Sequence, residues 1–563
     1  MKSTPLETID DSIRELSQRK ADWAKLEIPQ LIEHLDATRN RVLELSRTWV
    51  ETACEIKSVA FDSDTSAEEW IAGPMLVLRH LRLLRETLLR IARGLPTVSA
   101  STVSEGSDGR TRARVFPADL SDRLLYAGFT GDIEFGEGVR RDDVLSQSAS
   151  KYRKDRGTSE GRVVAVLGAG NVTSIAPLDL LTKLFIDRAV CILKVHPLLA
   201  RIGPILESVL EGFVKSGALR FAYGDAAAGS AVVEHPLVDE VHLTGSDATH
   251  DAIVWGPEDE REDRKREGRR CHTKDFTSEL GCVTPVIIAP GKWTSAQLRF
   301  HAESVASMVA NNSSFNCNSA KLLITHSGWK QREEFLSTLR SVFQTLPTRF
   351  AYYPGADQKY SRFVDAHPNS EVVGQAGDGE LPWTLATSLD SSEDDPAFRE
   401  EAWSPVLAET ALDANDPSEF LARAANFANE RVWGTLSCGL LIDPKTSRAH
   451  STAFESALAS LRYGTVVVNH WPALGYGLGV TPWGAFPGHT AEDIQSGVGF
   501  VHNTLMLEST ERTVVRGPFV VRPKPPWFST KRRNRELAEI LTQFERKPGL
   551  LPLLRVGAAA IRS

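Results

Sequence analysis

Cys317, in NNSSFNCNSAKLLITH, is the residue here whose type and setting could do chemistry. Its small and amide neighbours leave room for a substrate and supply hydrogen bonds, and a thiolate there would be a nucleophile. Alone it decides little. Six cysteines are scattered through the chain (Cys54, Cys191, Cys271, Cys282, Cys317 and Cys438), and a buried inert thiol is the ordinary state of such a residue. A second candidate is the turn GAGN after RVVAVL, which could cradle a dinucleotide, but Thr173 stands where the third glycine of G-x-G-x-x-G belongs. Lys194 ends the next apolar run where an acidic ribose ligand is usual, which suits a phosphorylated ribose or an ordinary surface charge.

The elements that must hold these residues read as an open α/β sheet. RVVAVLGAGN, AVCILKVHP, ALRFAYG and VDEVHLTGS are buried strands, and PLDLLTKLFI and IGPILESVLEGFVKSG are helices between them. Before them, helical periodicity runs from Ile9 to about Lys57 and from Glu68 to about Arg93. TVSASTVSEGSDGRTRAR reads as an exposed connection and DIEFGEGVRRDDVL as short strands or loop. The interspersed charges of residues 256–275 read as a solvated surface insertion. SELGCVTPVIIAP opens a second alternation, which runs to GTVVVNH. The closing segment contains a candidate strand pair, ERTVVRGPFVVRP, a Pro-rich stop and a basic amphipathic helix.

At 563 residues, with 42% hydrophobic and 25% charged residues, the chain suits a globular protein of two or three domains. A net charge of -8 gives no global attraction to nucleic acid or anionic lipid. No run approaches a membrane span and the polar first residues form no signal core, so a cytoplasmic location with reduced thiols is expected. Neither histidines nor cysteines show metal-ligand spacing, and no metal is expected.

Several short motifs, in fixed order over about residues 160 to 500, resemble the aldehyde dehydrogenase superfamily. Asn171 in LGAGN, Lys194 in ILKVHP, Thr244, Gly245 and Ser246 in VHLTGS, and Glu279, Leu280 and Gly281 in ELG match its first elements. Asn312 and Cys317 match N-x-x-x-x-C, and EAWSPV, from Glu401 to Val406, answers E-x-x-G-P-V. ANERVWGTLSCGLLID, GTVVVNH and TPWGAFPG resemble its late elements.

The resemblance implies two Rossmann-like three-layer α/β/α domains with a small β oligomerisation arm. Residues 1–278 would carry the N-terminal helices and the NAD(P) domain, with 135–159 open to assignment to the arm. Residues 279–470 would be the catalytic domain, and 471–563 a return segment with the oligomerisation strand and C-terminal helix. It further implies oxidation of an aldehyde to a carboxylic acid, with Cys317 as nucleophile, Glu279 as water-activating base and Asn171 in the oxyanion hole. Lys194, Gly229, Thr244, Gly245, Ser246, Leu280, Glu401 and Trp403 would bind NAD or NADP. A homodimer or homotetramer joined through TVVRGPFVV is implied, and the aromatic residues Phe315, Trp471 and Trp483 lean toward an apolar or aromatic aldehyde.

The chain departs from the common pattern at Gly170, Thr173 and Phe315, where tryptophan, proline and glutamine are usual, and at Cys282, which replaces a glycine. Pro197 stands where a ribose-binding glutamate is common, which leaves NAD and NADP both open. Glu279 and Cys317 are 38 residues apart, a few more than is usual. The G-x-G-N turn also resembles acyl-CoA reductases, which form an aldehyde from a thioester with NADPH; a retained Glu279 argues against that chemistry. A non-catalytic scaffold of the same fold is a third reading, opposed by the joint presence of Cys317, Glu279 and Asn171.

Overall fold

The computed structural model describes residues 3–106, 109–153 and 160–563. Residues 154–159 of the stretch expected to be open to the arm, and residues 107 and 108 of the expected connection, lie outside them.

The N-terminal periodicity forms two helices where one continuous pattern was read. Leu6–Ala24 ends before a Glu27/Gln30 capping box, and Pro29 in the first turn of Ile28–Ile56 sets the break. Together with Leu76–Ala92 they bury one apolar face, Ile9, Ile13, Leu31, Leu35, Leu81 and Leu84 among others, against the first sheet. That burial, at roughly 1.5–3 kcal/mol for each large aliphatic side chain, fixes the helices to the sheet.

The first sheet has six strands in the order Gly497–Val498, Asp275–Glu279, Glu240–Thr244, Val163–Leu167, Val190–Lys194 and Leu219–Ala222. All pair in parallel except the first, which runs antiparallel to Asp275–Glu279. Its central strands are apolar without alternation because both faces are covered.

The second sheet has eleven strands. Its parallel core runs Thr510–Arg516, Thr465–Val468, Ser437–Leu441, Pro285–Ile288, Leu322–His326, Val406–Leu412 and Trp383–Leu389. Glu371–Val373 closes one edge, and an antiparallel group, Thr130–Phe135, Thr111–Phe116 and Val103–Glu105, closes the other. The expected exposed connection is therefore partly strand: it supplies Val103–Glu105 and the start of Thr111–Phe116, whose Ala113, Val115 and Phe116 are buried. The alternation RARVF, hidden in a polar surround, was the available signal.

ERTVVRGPFVVRP gives one strand where a pair was expected. Thr510–Arg516 stops at Gly517 and Pro518, and Phe519 turns inward against Trp293 and His301. The strand pairs on one side with Thr465–Val468 and on the other with Thr130–Phe135, so both its edges are hydrogen-bonded within this chain. The basic helix Asn534–Arg546 then returns to pack on the N-terminal helices. In the charged insertion, Glu258–Glu267 is a helix with no buried residue, the solvated surface its composition predicts.

Candidate active site

Parallel strands place their carboxyl ends together, and loops there form the crevice of an open α/β sheet. Thr244 and Glu279 are register partners at the ends of adjacent strands, as are Leu167 and Lys194. The turn beyond Leu167 carries Asn171 over that edge. From the second sheet, the loop between Ser295–Ala310 and Leu322–His326 brings Cys317 to the same place. Asn171, Glu279 and Cys317 accordingly line one crevice of about 860 Å³, together with Lys194, Gly229, Thr244, Gly245, Ser246, Leu280, Glu401 and Trp403.

The loop that carries Cys317 is held in an uncommon backbone conformation. Asn312, Ser313 and Ser314 all have left-handed φ, at 53°, 55° and 72°, which persists only where surrounding contacts over-determine it. The Asn312 amide supplies those contacts by donating to the carbonyls of Asn171 and Phe315, both at 3.1 Å, and to Asn316 Oδ1 at 3.0 Å. Its own oxygen accepts from Tyr352 at 2.8 Å and from Lys57 at 2.9 Å, and Lys57 is ion-paired to Glu69 at 2.7 Å. A buried ion pair from the N-terminal helices thus anchors the loop.

Lys321 pins the other side. Its ammonium donates to the Ser314 carbonyl at 3.0 Å and to the Ser404 carbonyl at 2.7 Å, tying the cysteine loop to the Glu401 loop, and burial pulls its pKa down to about 7. No motif named Lys57, Glu69, Tyr352 or Lys321. A lysine inside the apolar run AKLLITH was the signal for the last.

Asn171 spends one amide hydrogen on the Phe315 carbonyl, at 2.9 Å, and an amide has two. Among the described residues no acceptor takes the Cys317 N–H. The remaining Asn171 hydrogen and that N–H are the donors available to a developing oxyanion beside Cys317.

The Glu279 carboxyl faces the Cys317 thiol, and burial, then Asp179, raise its pKa to about 8. The thiol is pushed well above its ordinary range by burial and then by Glu279 and Glu401. Charge on Glu279 therefore disfavours charge on the thiol, whereas the thiol's hydrogen bond favours the carboxylate form of Glu279. Asp179, fully buried and hydrogen-bonded by the Thr244 hydroxyl at 2.8 Å, was missed in the sequence although it is the lone acid in the apolar run IAPLDLL. Asp179→Asn keeps an acceptor for Thr244 and removes the like charge. Glu279 should then ionise at lower pH, and a titration of the Glu279 carboxyl should move down; an unmoved titration would separate Asp179 from Glu279.

At the crevice's outer end, Lys194 and Asp225 interact electrostatically, and burial lowers the lysine's pKa. Ser246 caps the helix Asp247–Val254, accepting from Thr249 N–H at 3.2 Å. Glu401 accepts from Cys282 N–H at 3.3 Å, and burial brings its pKa up to about 7. A side chain at Gly281 would put its Cβ 2.2 Å from that carboxylate and displace it, so the glycine leaves room for Glu401 where it stands. Gly170 has a similar reason: a Cβ there would lie 2.3 Å from the His196 ring, which fills the space a bulkier residue would take. Lys359, also unforeseen, donates to the Glu401 carbonyl at 3.2 Å.

A second cavity of about 150 Å³ also reaches Cys317, walled by Met75, Leu76, Leu125, Trp471, Trp527 and Leu541. Of the three aromatic residues expected to signal the substrate, Trp471 lines this tunnel. Phe315 instead packs in a cluster with Tyr352, Tyr353 and Trp403, and Trp483 is fully buried against Tyr476. Residue type could not distinguish a wall from a core position.

No family model matches the chain, and no curated protein matches it in sequence. Solved structures do. An NADP-dependent glyceraldehyde-3-phosphate dehydrogenase from Bacillus halodurans, complexed with NADP, superposes with a TM-score of 0.61 at 16% identity, over 92% of each chain. An NAD-dependent aldehyde dehydrogenase from Sinorhizobium meliloti gives 0.59 at 14% identity, over 93% of this chain and 88% of that one. The substrate-bound AldH of Staphylococcus aureus gives 0.60 at 12% identity, over 92% and 95%. With the architecture matched over nearly its whole length and little of the sequence shared, this chain carries the fold of the aldehyde dehydrogenases.

Proposed function

We propose that the protein oxidises an aldehyde to a carboxylic acid with NAD or NADP, through a thioester on Cys317. The observation that carries this reading is the meeting of two cavities at one thiol. The larger, polar-edged crevice and the smaller apolar tunnel both reach Cys317 and Asn171. A reaction between a cofactor and an aldehyde needs that arrangement.

The crevice fits a dinucleotide. Gly229 leaves open space beside it, Lys194 and Ser246 offer donors for a ribose and a pyrophosphate, and Glu401 and Trp403 stand at the inner end for the nicotinamide riboside. Gly245 and Leu280 supply close backbone and apolar walls. Bound there, the cofactor supplies the two-electron acceptor. The chain's own groups do the rest. Cys317 Sγ, having given its proton to solvent, bonds as the thiolate to the aldehyde carbon. Asn171 and the Cys317 N–H hold the oxyanion, an interaction whose removal costs about 10²–10³ in kcat in comparable sites. Once the acyl group is a thioester, Glu279 takes a proton from water, whose oxygen attacks the acyl carbon and releases the acid and the thiol. The tunnel's apolar and aromatic wall favours an apolar aldehyde.

The test is NAD(P)H formation on a panel of aliphatic and aromatic aldehydes, with NAD and NADP separately, in wild type and Cys317→Ala. Turnover should be lost in the variant and should favour apolar substrates. Silence with every aldehyde, alongside thioester-dependent consumption of NADPH, would replace this reading by acyl-CoA reduction. A protein that neither turns over nor forms an adduct at Cys317 would be a scaffold.

A further inference from the structure

We propose that the helix Leu550–Arg562, with the neighbouring short helix Leu120–Leu125, forms a face that seats on an anionic lipid bilayer surface. Eleven large apolar side chains stand exposed among the described residues, and six of them are here: Leu120, Leu124, Leu550, Leu551, Leu554 and Ile561. Ile561 is 78% exposed and Leu551 74%, whereas the most exposed of the other five, Leu6, reaches 60%. Concentration on two adjacent helices is what distinguishes a binding face from scattered surface leucines.

The helix is two-sided. Its inner side, Leu553, Val556 and Ala559, packs with Leu125 and Leu541 in one cluster. At about 100° per residue, Leu550, Leu554 and Ile561 fall within roughly 40° of one another on the outer side, with Leu551 beside them and Arg555 and Arg562 just beyond. Arg123, Arg546 and Lys547 are exposed on the adjoining turns. Although the chain carries a net charge of -8, residues 522–563 hold ten Lys and Arg against three Glu. Glu536, 3.4 Å from Arg562, Glu539, 2.6 Å from Arg535, and Glu303, 2.6 Å from Lys524, offset three of them, and Arg555, Arg546 and Lys547 stay exposed. An exposed leucine stripe edged by arginines is the composition of a helix lying in a bilayer interface, its leucines among the acyl chains and its arginines at the phosphates.

A second copy of the chain fits this face less well, because a two-fold contact over the leucines would bring Arg555 and Arg562 of both copies to one seam. The face also adjoins the tunnel. Leu125 and Leu541 belong both to the tunnel wall and to the cluster beneath the outer leucines, so seating would turn the tunnel's wall helices toward the lipid. Binding itself does not depend on the proposed reaction.

The experiment is co-sedimentation of the full chain with vesicles of mixed phosphatidylglycerol and phosphatidylcholine, and with phosphatidylcholine alone. The expected result is pelleting with the anionic vesicles only, reversed by raised salt. Arg555→Gln and Arg562→Gln should each weaken it about fivefold. Leu551→Glu/Leu554→Glu should abolish it, with a thermal unfolding midpoint matching wild type because both side chains are exposed. No pelleting, or equal pelleting with the uncharged vesicles, would overturn the proposal. So would a dimer in light scattering that the leucine variant dissociates, which would assign the face to a second copy.

Discussion

Glu279→Gln should release one equivalent of reduced cofactor per chain in a rapid burst and then turn over slower by about 10²–10⁴, since the acyl-enzyme has lost the base that activates its water. Stopped-flow absorbance reads both phases. A burst slowed as much as the steady state would show Glu279 serving the thiol as well as the water. A steady state unchanged from wild type would remove Glu279 from the reaction.

The same substitution should stabilise the fold at alkaline pH. Burial holds the Glu279 pKa up at about 8, whereas an unfolded chain loses that proton near pH ~4.3. A carboxyl with a raised folded-state pKa contributes fully below the unfolded value, and its contribution drains away as pH rises through the folded one. At about 1.36 kcal/mol per unit of pKa, the ionised group opposes folding above pH 8 by a few kcal/mol. Glutamine has no such pH dependence. The variant should therefore melt above wild type at alkaline pH, with the gap shrinking as the pH falls toward about 5. Parallel melting curves at all pH values would mean that Glu279 is not held in its neutral form.

What the sequence made legible follows from where the constraint is local. Glu279 and Lys194 end strands and Asn171 and Cys317 sit in loops beside strands, where short apolar runs and their stops are readable, and the structure brings all four to one crevice. Asp179 and Lys321 were visible as lone charges in apolar runs, but a run does not say what the charge faces. Lys57, Glu69 and Tyr352 were illegible for a different reason. Lys57 and Asn312 are 255 residues apart and meet only because the end of the helix Ile28–Ile56 comes beside the Cys317 loop in the folded chain. The strand Thr510–Arg516 had a readable pattern, yet which edge it would pair with is a property of the finished sheet.

That long-range contact carries the second large effect. Lys57→Met should destabilise the fold by about 3–5 kcal/mol, because Glu69 is left as an uncompensated charge in a buried site. Turnover should fall too. Without the lysine, the Asn312 oxygen keeps only its Tyr352 donor, and the three left-handed residues before Cys317 lose part of what holds them. A displacement of the thiol by about 1 Å is worth roughly 100-fold in rate. The two consequences can be separated with Lys57→Met/Glu69→Leu, which removes the buried pair entirely. Its melting temperature should return toward that of wild type, as replacing a buried pair by apolar groups is often neutral. Its kcat should stay low, since the donor to Asn312 is still missing. If stability and kcat recovered together, Lys57 would matter only as Glu69's counter-ion, and the positioning of Cys317 would rest on Tyr352 and Lys321 alone.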